Sequence, residues 1–254
     1  MTSPLDGTVA LVTGASSGIG EQTAVVLAEL GADVVVAARR ADRLDALVER
    51  ITGKGGSALA VAADVTDEAQ AQAAVDRAVE RFGRLDTVFA NAGVMLLGPI
   101  EGADPEDWRR MIELNVLGAL YTAHAALPHL LAAAQDGPRR VADLVITSSV
   151  AGRTVRVGSG VYNASKHAIG AFAESLRQEV TQRHVRVSLI EPGAVETELV
   201  SHNRPEIQEQ MAQRFADAER LQSDDIARAV AFVVTSPRHM AVNEMLIRPT
   251  EQQQ

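Results

Sequence analysis

Thr8-Val9-Ala10-Leu11-Val12-Thr13-Gly14-Ala15-Ser16-Ser17-Gly18-Ile19-Gly20 runs from a short apolar segment through a glycine-rich turn into a stretch with helical periodicity. The first six residues read as a buried strand, and 19–30 as the helix that follows. Between them Gly14, Gly18 and Gly20 let the backbone turn tightly and approach a pyrophosphate, whose charge would meet the helix N-terminus. Ser16, Ser17 and Ile19 belong to the same turn. Its spacing is G-x-x-x-G-x-G rather than G-x-G-x-x-G. The context, a strand before and a helix after, therefore carries its reading as a dinucleotide-binding turn.

Outward from this unit the same alternation repeats. Val/Leu/Ala-rich runs at 8–13, 33–38, 58–63, 87–91, 141–147, 185–190 and 244–248 predict seven strands, and 19–30, 41–51, 68–82, 105–134, 162–182 and 223–234 predict helices. Near-continuous apolar strands separated by helices imply an α/β chain: a doubly wound, Rossmann-type parallel sheet with helices on both faces and ligands outside the carboxyl ends of its strands. Gly14, Asn91, Ser149 and Pro192 each fall just after a predicted strand, so four separate segments would meet on one rim. No linker, solenoid repeat or low-complexity stretch interrupts the chain, which predicts one domain over 1–254. The terminal Gln252-Gln253-Gln254 reads as frayed, 135–140 as a surface turn, and the charged, helical 196–221 as a candidate lid.

With 33 acidic against 24 basic residues, the formal charge of −9 disfavours a surface that neutralises nucleic-acid phosphates. The absence of cysteine excludes disulfides and thiolate metal sites. The six histidines show no metal-ligand spacing, so no metal is expected. The opening Met1-Thr2-Ser3-Pro4-Leu5-Asp6-Gly7 has neither a basic nor an apolar leader, and no later run reads as a membrane span. A cytoplasmic location follows as the expectation.

Tyr162 and Lys166, in Tyr162-Asn163-Ala164-Ser165-Lys166, lie one helical turn apart and share a face. A free phenol, with a pKa of about 10, holds its proton too tightly for exchange near neutral pH, and an adjacent ammonium would lower it toward the working range. Alone, Tyr-x-x-x-Lys also fits an ordinary amphipathic helix. Ser149, thirteen positions upstream at the end of a strand-like run, together with Asn115 and the glycine turn, favours the chemical reading. Ser148 is adjacent to Ser149, and only the step to Tyr162 prefers the second.

At the end of the second strand, Val36-Ala37-Ala38-Arg39-Arg40 offers no carboxylate for an adenosine ribose, whereas Arg39, and behind it Arg40, would pair with a 2′-phosphate. NADP(H) is therefore expected over NAD(H). Asp64, next to Val65, suits either an adenine amino group or a helix N-cap. Asn91-Ala92-Gly93 would let backbone pass close to the cofactor. Met95, Leu96 and Leu97 read equally as substrate wall or as core. Arg153, Arg156, His202 and Arg204 read as solvated loop charges or as partners for a substrate carboxylate.

Taken together, Gly14-x-x-x-Gly18-x-Gly20, Asn91-Ala92-Gly93, Asn115, Ser149, Tyr162-x-x-x-Lys166 and Pro192-Gly193 resemble the short-chain dehydrogenase/reductase family in order and spacing, from about Thr8 to Arg248. The resemblance implies Tyr162 as acid-base and Lys166 as the group that lowers its pKa and bonds the nicotinamide ribose. It implies that Ser149 bonds the substrate oxygen and that Asn115 disturbs its helix and supports a water relay to Lys166. Pro192 and Gly193 would flank the nicotinamide, with Val195 nearby and Thr197 on the carboxamide. Ala38-Arg39-Arg40, Leu96-Leu97-Gly98-Pro99, Ile190-Glu191-Pro192-Gly193 and the ending from Asn243 to Thr250 are similar to a subgroup of NADP-dependent reductases, among them clavulanate-aldehyde reductase and serine-type hydroxy-acid dehydrogenases.

The implied activity is reversible hydride transfer between NADP(H) and a small aldehyde, ketone or secondary alcohol. The implied assembly is a homo-oligomer, tetramer or dimer, paired through 105–134 and 162–182. The competing reading is a non-catalytic NADP(H) sensor, which would have no need of the proton-transfer residues. Where the family often has Asn-Asn-Ala-Gly, this chain has Ala90-Asn91-Ala92-Gly93, losing one polar contact.

Overall fold

β1 (Val9–Thr13) lies between β2 (Asp33–Ala38) and β4 (Thr87–Ala90) in a computed structural model that describes residues 3–214 and 219–253. With β3 (Ser57–Ala62), β5 (Ala142–Thr147), β6 (Val185–Pro192) and β7 (Glu244–Ile247), the seven strands pair in parallel in the order β3-β2-β1-β4-β5-β6-β7. The order in which strands are added reverses between β1 and β4, and that switch opens a crevice at the carboxyl ends.

Alternation within each strand sends side chains to opposite faces. Val9, Leu11, Val88, Leu144 and Ile146 face one layer, built from α3 (Glu68–Phe82), α5 (Gly118–Asp136) and α6 (Gly160–Val180). Ala10, Val12, Val34, Val36 and Phe89 face the other, built from α1 (Gly18–Glu29), α2 (Ala41–Thr52) and α8 (Ser223–Thr235). Burying one such Val, Leu or Phe side chain contributes about 1.5–3 kcal/mol, so both layers lock the register that sets the site's rim. A buried ion pair sits at the opposite, amino end, where Arg186 Nε donates to Asp143 Oδ1 at 2.6 Å.

The run 105–134 is not one helix. α4 (Pro105–Ile112) starts at Asp104, whose carboxylate accepts from the Glu106 amide at 2.9 Å, and a π-helical turn, Glu113–Leu117, intervenes before α5. Contrary to the sequence expectation, Pro105–Asp136 is long and apolar enough to cross a bilayer by length and composition. Its inner stripe, Ala119, Ala123, Ala126 and Leu130, packs against the sheet. In the predicted lid, a 3₁₀ turn (Glu198–His202) and α7 (Pro205–Arg214) are present, and residues 215–218 lie outside the described part.

Candidate active site

The carboxyl ends of β1, β4, β5 and β6 open into a cavity of about 480 Å³. Every predicted site residue lines it except Gly20 and Asn115, which stand behind its wall.

The glycine turn is shaped by close approach. Gly14 has φ +65°, and a Cβ there would lie 2.8 Å from Ala92 Cα; at Gly20 it would lie 2.4 Å from the Gly14 carbonyl oxygen. Gly18 has φ +59° beneath the Thr197 side chain. Asn91 ties three strand ends together. Its Nδ2 donates to Thr13 O at 3.3 Å, its Oδ1 accepts from Thr147 Oγ1 at 3.1 Å, and its amide donates to Thr13 Oγ1 at 3.1 Å. These threonine hydroxyls brace the segment where Ala90 replaces the family's first asparagine. A dinucleotide's phosphates fit this cradle, which presents small residues, backbone and the start of α1 toward the cavity.

On the facing side, Ser149 stands beside the Tyr162 phenol and pulls its proton affinity down. Ser149 Oγ also accepts from the Ala151 amide at 3.1 Å and donates to Pro192 O at 3.4 Å. Ser148 is excluded from this role, since its hydroxyl donates to Lys166 O at 3.3 Å beneath Gly152. Lys166 Nζ donates to Thr147 O at 2.8 Å and stands 5.8 Å from the Tyr162 ring centre.

Electrostatically, burial dominates the pair. It pushes the Tyr162 phenol above its ordinary value, against the opposing pull of Ser149, and it brings Lys166 down to about 8. The sequence reading expects the adjacent ammonium to lower the phenol, whereas burial sets the direction here and raises it.

Asn115 lies in the π turn, the kind of helix irregularity that clusters at functional sites. Its Oδ1 accepts from the Val94 amide at 2.8 Å, and its Nδ2 donates to Val94 O at 2.9 Å and to Ser165 Oγ at 3.1 Å. Ser165 in turn donates to Tyr162 O at 2.7 Å. A Cβ on Gly93 would fall 3.2 Å from Asn115 Oδ1 and 3.8 Å from Lys166 Nζ, so only glycine leaves the space between them open.

At the other end, Arg39 and Arg40 diverge. Arg39 is 4.0 Å from Asp64 and largely exposed, whereas Arg40 Nη2 donates to Ser16 Oγ and Ser17 Oγ, each at 2.9 Å. Asp64 accepts from the Thr66 amide at 3.0 Å, and Asp67 is the residue that caps α3. The N-cap alternative for Asp64 therefore falls away. Thr197 Oγ1 accepts from the Leu199 amide at 3.3 Å, and Val195 bridges to Leu221. The Gly193 amide is held by Ile247 O at 2.7 Å.

Other readings divide as well. Met95 and Leu97 line the cavity, while Leu96 packs in a small core with Met111. Arg156 and His202 reach the cavity, and His202 is pushed down by burial and by the Arg110 and Arg40 charges. Arg153 is bound to Glu191 instead, and Arg204 lies 3.9 Å from Asp107.

Four contributors escaped the sequence reading: Thr13, Thr147, Glu198 and Gln252. The last corrects the frayed-tail expectation, because Gln252 Oε1 accepts from the Ala194 amide at 2.9 Å on the cavity wall. No motif marks these positions, and their signal exists only in space. Among the described residues, no group of His, Asp or Glu could hold a metal ion.

The short-chain dehydrogenase family profile matches residues 8–208. An uncharacterized oxidoreductase of Listeria innocua is 37% identical over 246 residues, spanning 96% of this chain and 97% of its own. Among solved structures, the closed form of serine dehydrogenase complexed with NADP⁺ superposes with TM-score 0.87 at 28% identity, covering 97% of each chain. A Burkholderia phymatum short-chain dehydrogenase/reductase in complex with NAD gives TM-score 0.84 at 30% identity, over 96% of this chain and 89% of that one. With the glycine cradle, the Ser149–Tyr162 pair and Lys166 facing one cavity, these matches show that the chain is an oxidoreductase of the short-chain dehydrogenase/reductase family.

Proposed function

We propose that the protein catalyses reversible hydride transfer between NADP(H) and a small aldehyde or ketone and its alcohol, with Tyr162 as the general acid-base. The observation that carries this reading is the convergence of Ser149, Tyr162 and Lys166 on the cavity that also receives the glycine turn. When bound, the nicotinamide supplies the hydride. The chain's own residues supply the proton and the geometry. A phenol raised by burial is protonated at neutral pH and so available to a carbonyl oxygen. Ser149 offers a second donor to the same oxygen as charge gathers there. Lys166, lowered to about 8, carries much of its charge at neutral pH and favours the phenolate that reduction leaves behind. Met95 and Leu97 exclude water from the substrate side.

The choice of NADP(H) rests on Arg39, largely exposed at the end of β2, and on the lack of a carboxylate in Ala37-Ala38-Arg39-Arg40. Relatives bind either cofactor, so the discriminating experiment is steady-state reduction of a carbonyl panel with NADPH and NADH in parallel. Turnover with NADPH at a higher kcat/KM supports the reading. Tight NADPH binding without turnover of any carbonyl would instead favour a cofactor sensor. A cytoplasmic homo-oligomer belongs to the same proposal, checked by cell fractionation and sedimentation.

A further inference from the structure

Glu198 crosses the mouth of the cofactor end. It follows Thr197 at the start of the 3₁₀ turn, and its carboxylate accepts from Arg40 Nη1 at 3.0 Å and from Arg43 Nη1 at 2.6 Å. The two arginines hold it at about 2, well below the usual carboxylate range, so it is ionised at any working pH. Arg40 is occupied on its other side too, with Nε and Nη2 donating to Ser16 Oγ at 3.1 and 2.9 Å. Arg39, by comparison, has only a 4.0 Å approach to Asp64.

A guanidinium has a fixed set of donors, and those of Arg40 are shared between two serines of the glycine turn and one carboxylate. A phosphate reaching this corner meets a cation already neutralised by an anion of the chain itself. It must displace that anion or lie against it, and like charges in contact repel. A dinucleotide without the extra phosphate meets no such competition.

We propose that Glu198 is an intramolecular stand-in for the 2′-phosphate of the cofactor on Arg40 and Arg43. Its displacement frees the turn that opens the predicted lid, and its presence weakens the preference for the phosphorylated dinucleotide. This rests on the reading of the cavity as a nicotinamide-dinucleotide site. Glu198 is a specificity-determining residue, and the chain trades cofactor discrimination for a contact that ties residues 198–202 to α2 when no phosphate is bound.

The test is direct binding, by titration calorimetry, of NADP⁺ and NAD⁺ to the full chain and to Glu198→Gln, with thermal melting to verify folding. The side chain is exposed enough for the variant to fold. Glu198→Gln should tighten NADP⁺ by about fivefold and leave NAD⁺ within about twofold, the scale of an exposed charge pair. Glu198→Ala should repeat the NADP⁺ gain. An equal change for both dinucleotides, no change, or weaker NADP⁺ binding would overturn the proposal. If the unsubstituted chain binds neither dinucleotide, the cofactor reading itself fails, and that result is visible before any variant is compared.

Discussion

The ammonium of Lys166 stands 5.8 Å from the centre of the Tyr162 ring and gives its hydrogen bond to Thr147 O at 2.8 Å. The lysine is thereby anchored to the end of β5 and aimed along the cavity rather than docked on the phenol. Both side chains are almost completely buried, and burial pulls their proton affinities in opposite directions, the phenol up and the ammonium down.

Tyr162→Phe removes only the hydroxyl. Carbonyl reduction should fall by about 10²–10⁴-fold, the range associated with loss of a general acid, while dinucleotide binding and melting temperature stay near those of the unsubstituted chain. Comparable activity in the variant would dismiss Tyr162 as the proton donor.

The two reaction directions should differ in their pH response. Reduction needs the protonated phenol, which burial favours, so its rate should hold across neutral pH; alcohol oxidation needs the phenolate and should rise into the alkaline range. Initial rates in both directions across the same buffers would check this, and an oxidation rate that falls on going alkaline would contradict it.

Lys166→Met should raise stability while abolishing turnover. Below pH 8 the lysine is charged in both the folded and unfolded chain, and the full cost of burying it is present. Between about 8 and the ordinary value of 10.5, the unfolded chain holds a proton that the folded chain has lost, so wild-type stability rises with pH. The advantage of the methionine variant, at most about 3 kcal/mol and reduced by the lost bond to Thr147, should be largest at neutral pH and shrink toward pH 10. Urea melts at both pH values would show it.

Gly20→Ala places a methyl group 2.4 Å from the Gly14 carbonyl oxygen, a backbone atom that cannot step aside. The glycine turn should distort, with dinucleotide affinity lost and stability reduced by about 1–3 kcal/mol, as for other overpacked sites. Affinity equal to that of the unsubstituted chain would mean the turn does not form the cradle.

Arg153→Met strands Glu191, a carboxylate only 2% exposed that the guanidinium binds at 2.8 Å. Leaving a fully buried charge without its partner costs about 3–5 kcal/mol, and because Arg153 is itself 40% exposed the loss here should fall below that range. Pairing Arg153→Met with Glu191→Gln should restore much of that loss, as read from denaturant midpoints. Failure of the double variant to recover would assign the effect to something other than the ion pair.

Much of this molecule was legible in its chain. The strand at Asp33–Ala38 announces itself through its run of valines and alanines, and α3 through its period and through Gly83, at φ +79° past its end. Tyr162, Lys166 and Ser149 were identifiable because helical spacing and strand ends are local consequences of backbone geometry. The π turn at Asn115 was anticipated only as a disturbance. Within it the Asn115 side chain satisfies Val94, twenty-one positions earlier in sequence.

Local periodicity and the steric demands of glycine settled the order of elements and the rim on which they converge, since both act over a few residues and admit few alternatives. Folding in three dimensions settled which polar groups meet. Ser149 rather than Ser148 faces Tyr162, Arg153 turns to Glu191 instead of the cavity, and Glu198 finds Arg40 across 158 positions of chain. Such pairings depend on where distant crossovers leave their ends, and the proton affinities of Tyr162 and Lys166 depend on the burial that results. That is why the chemistry's participants could be named from the chain, whereas their charge states and partners emerged only from packing.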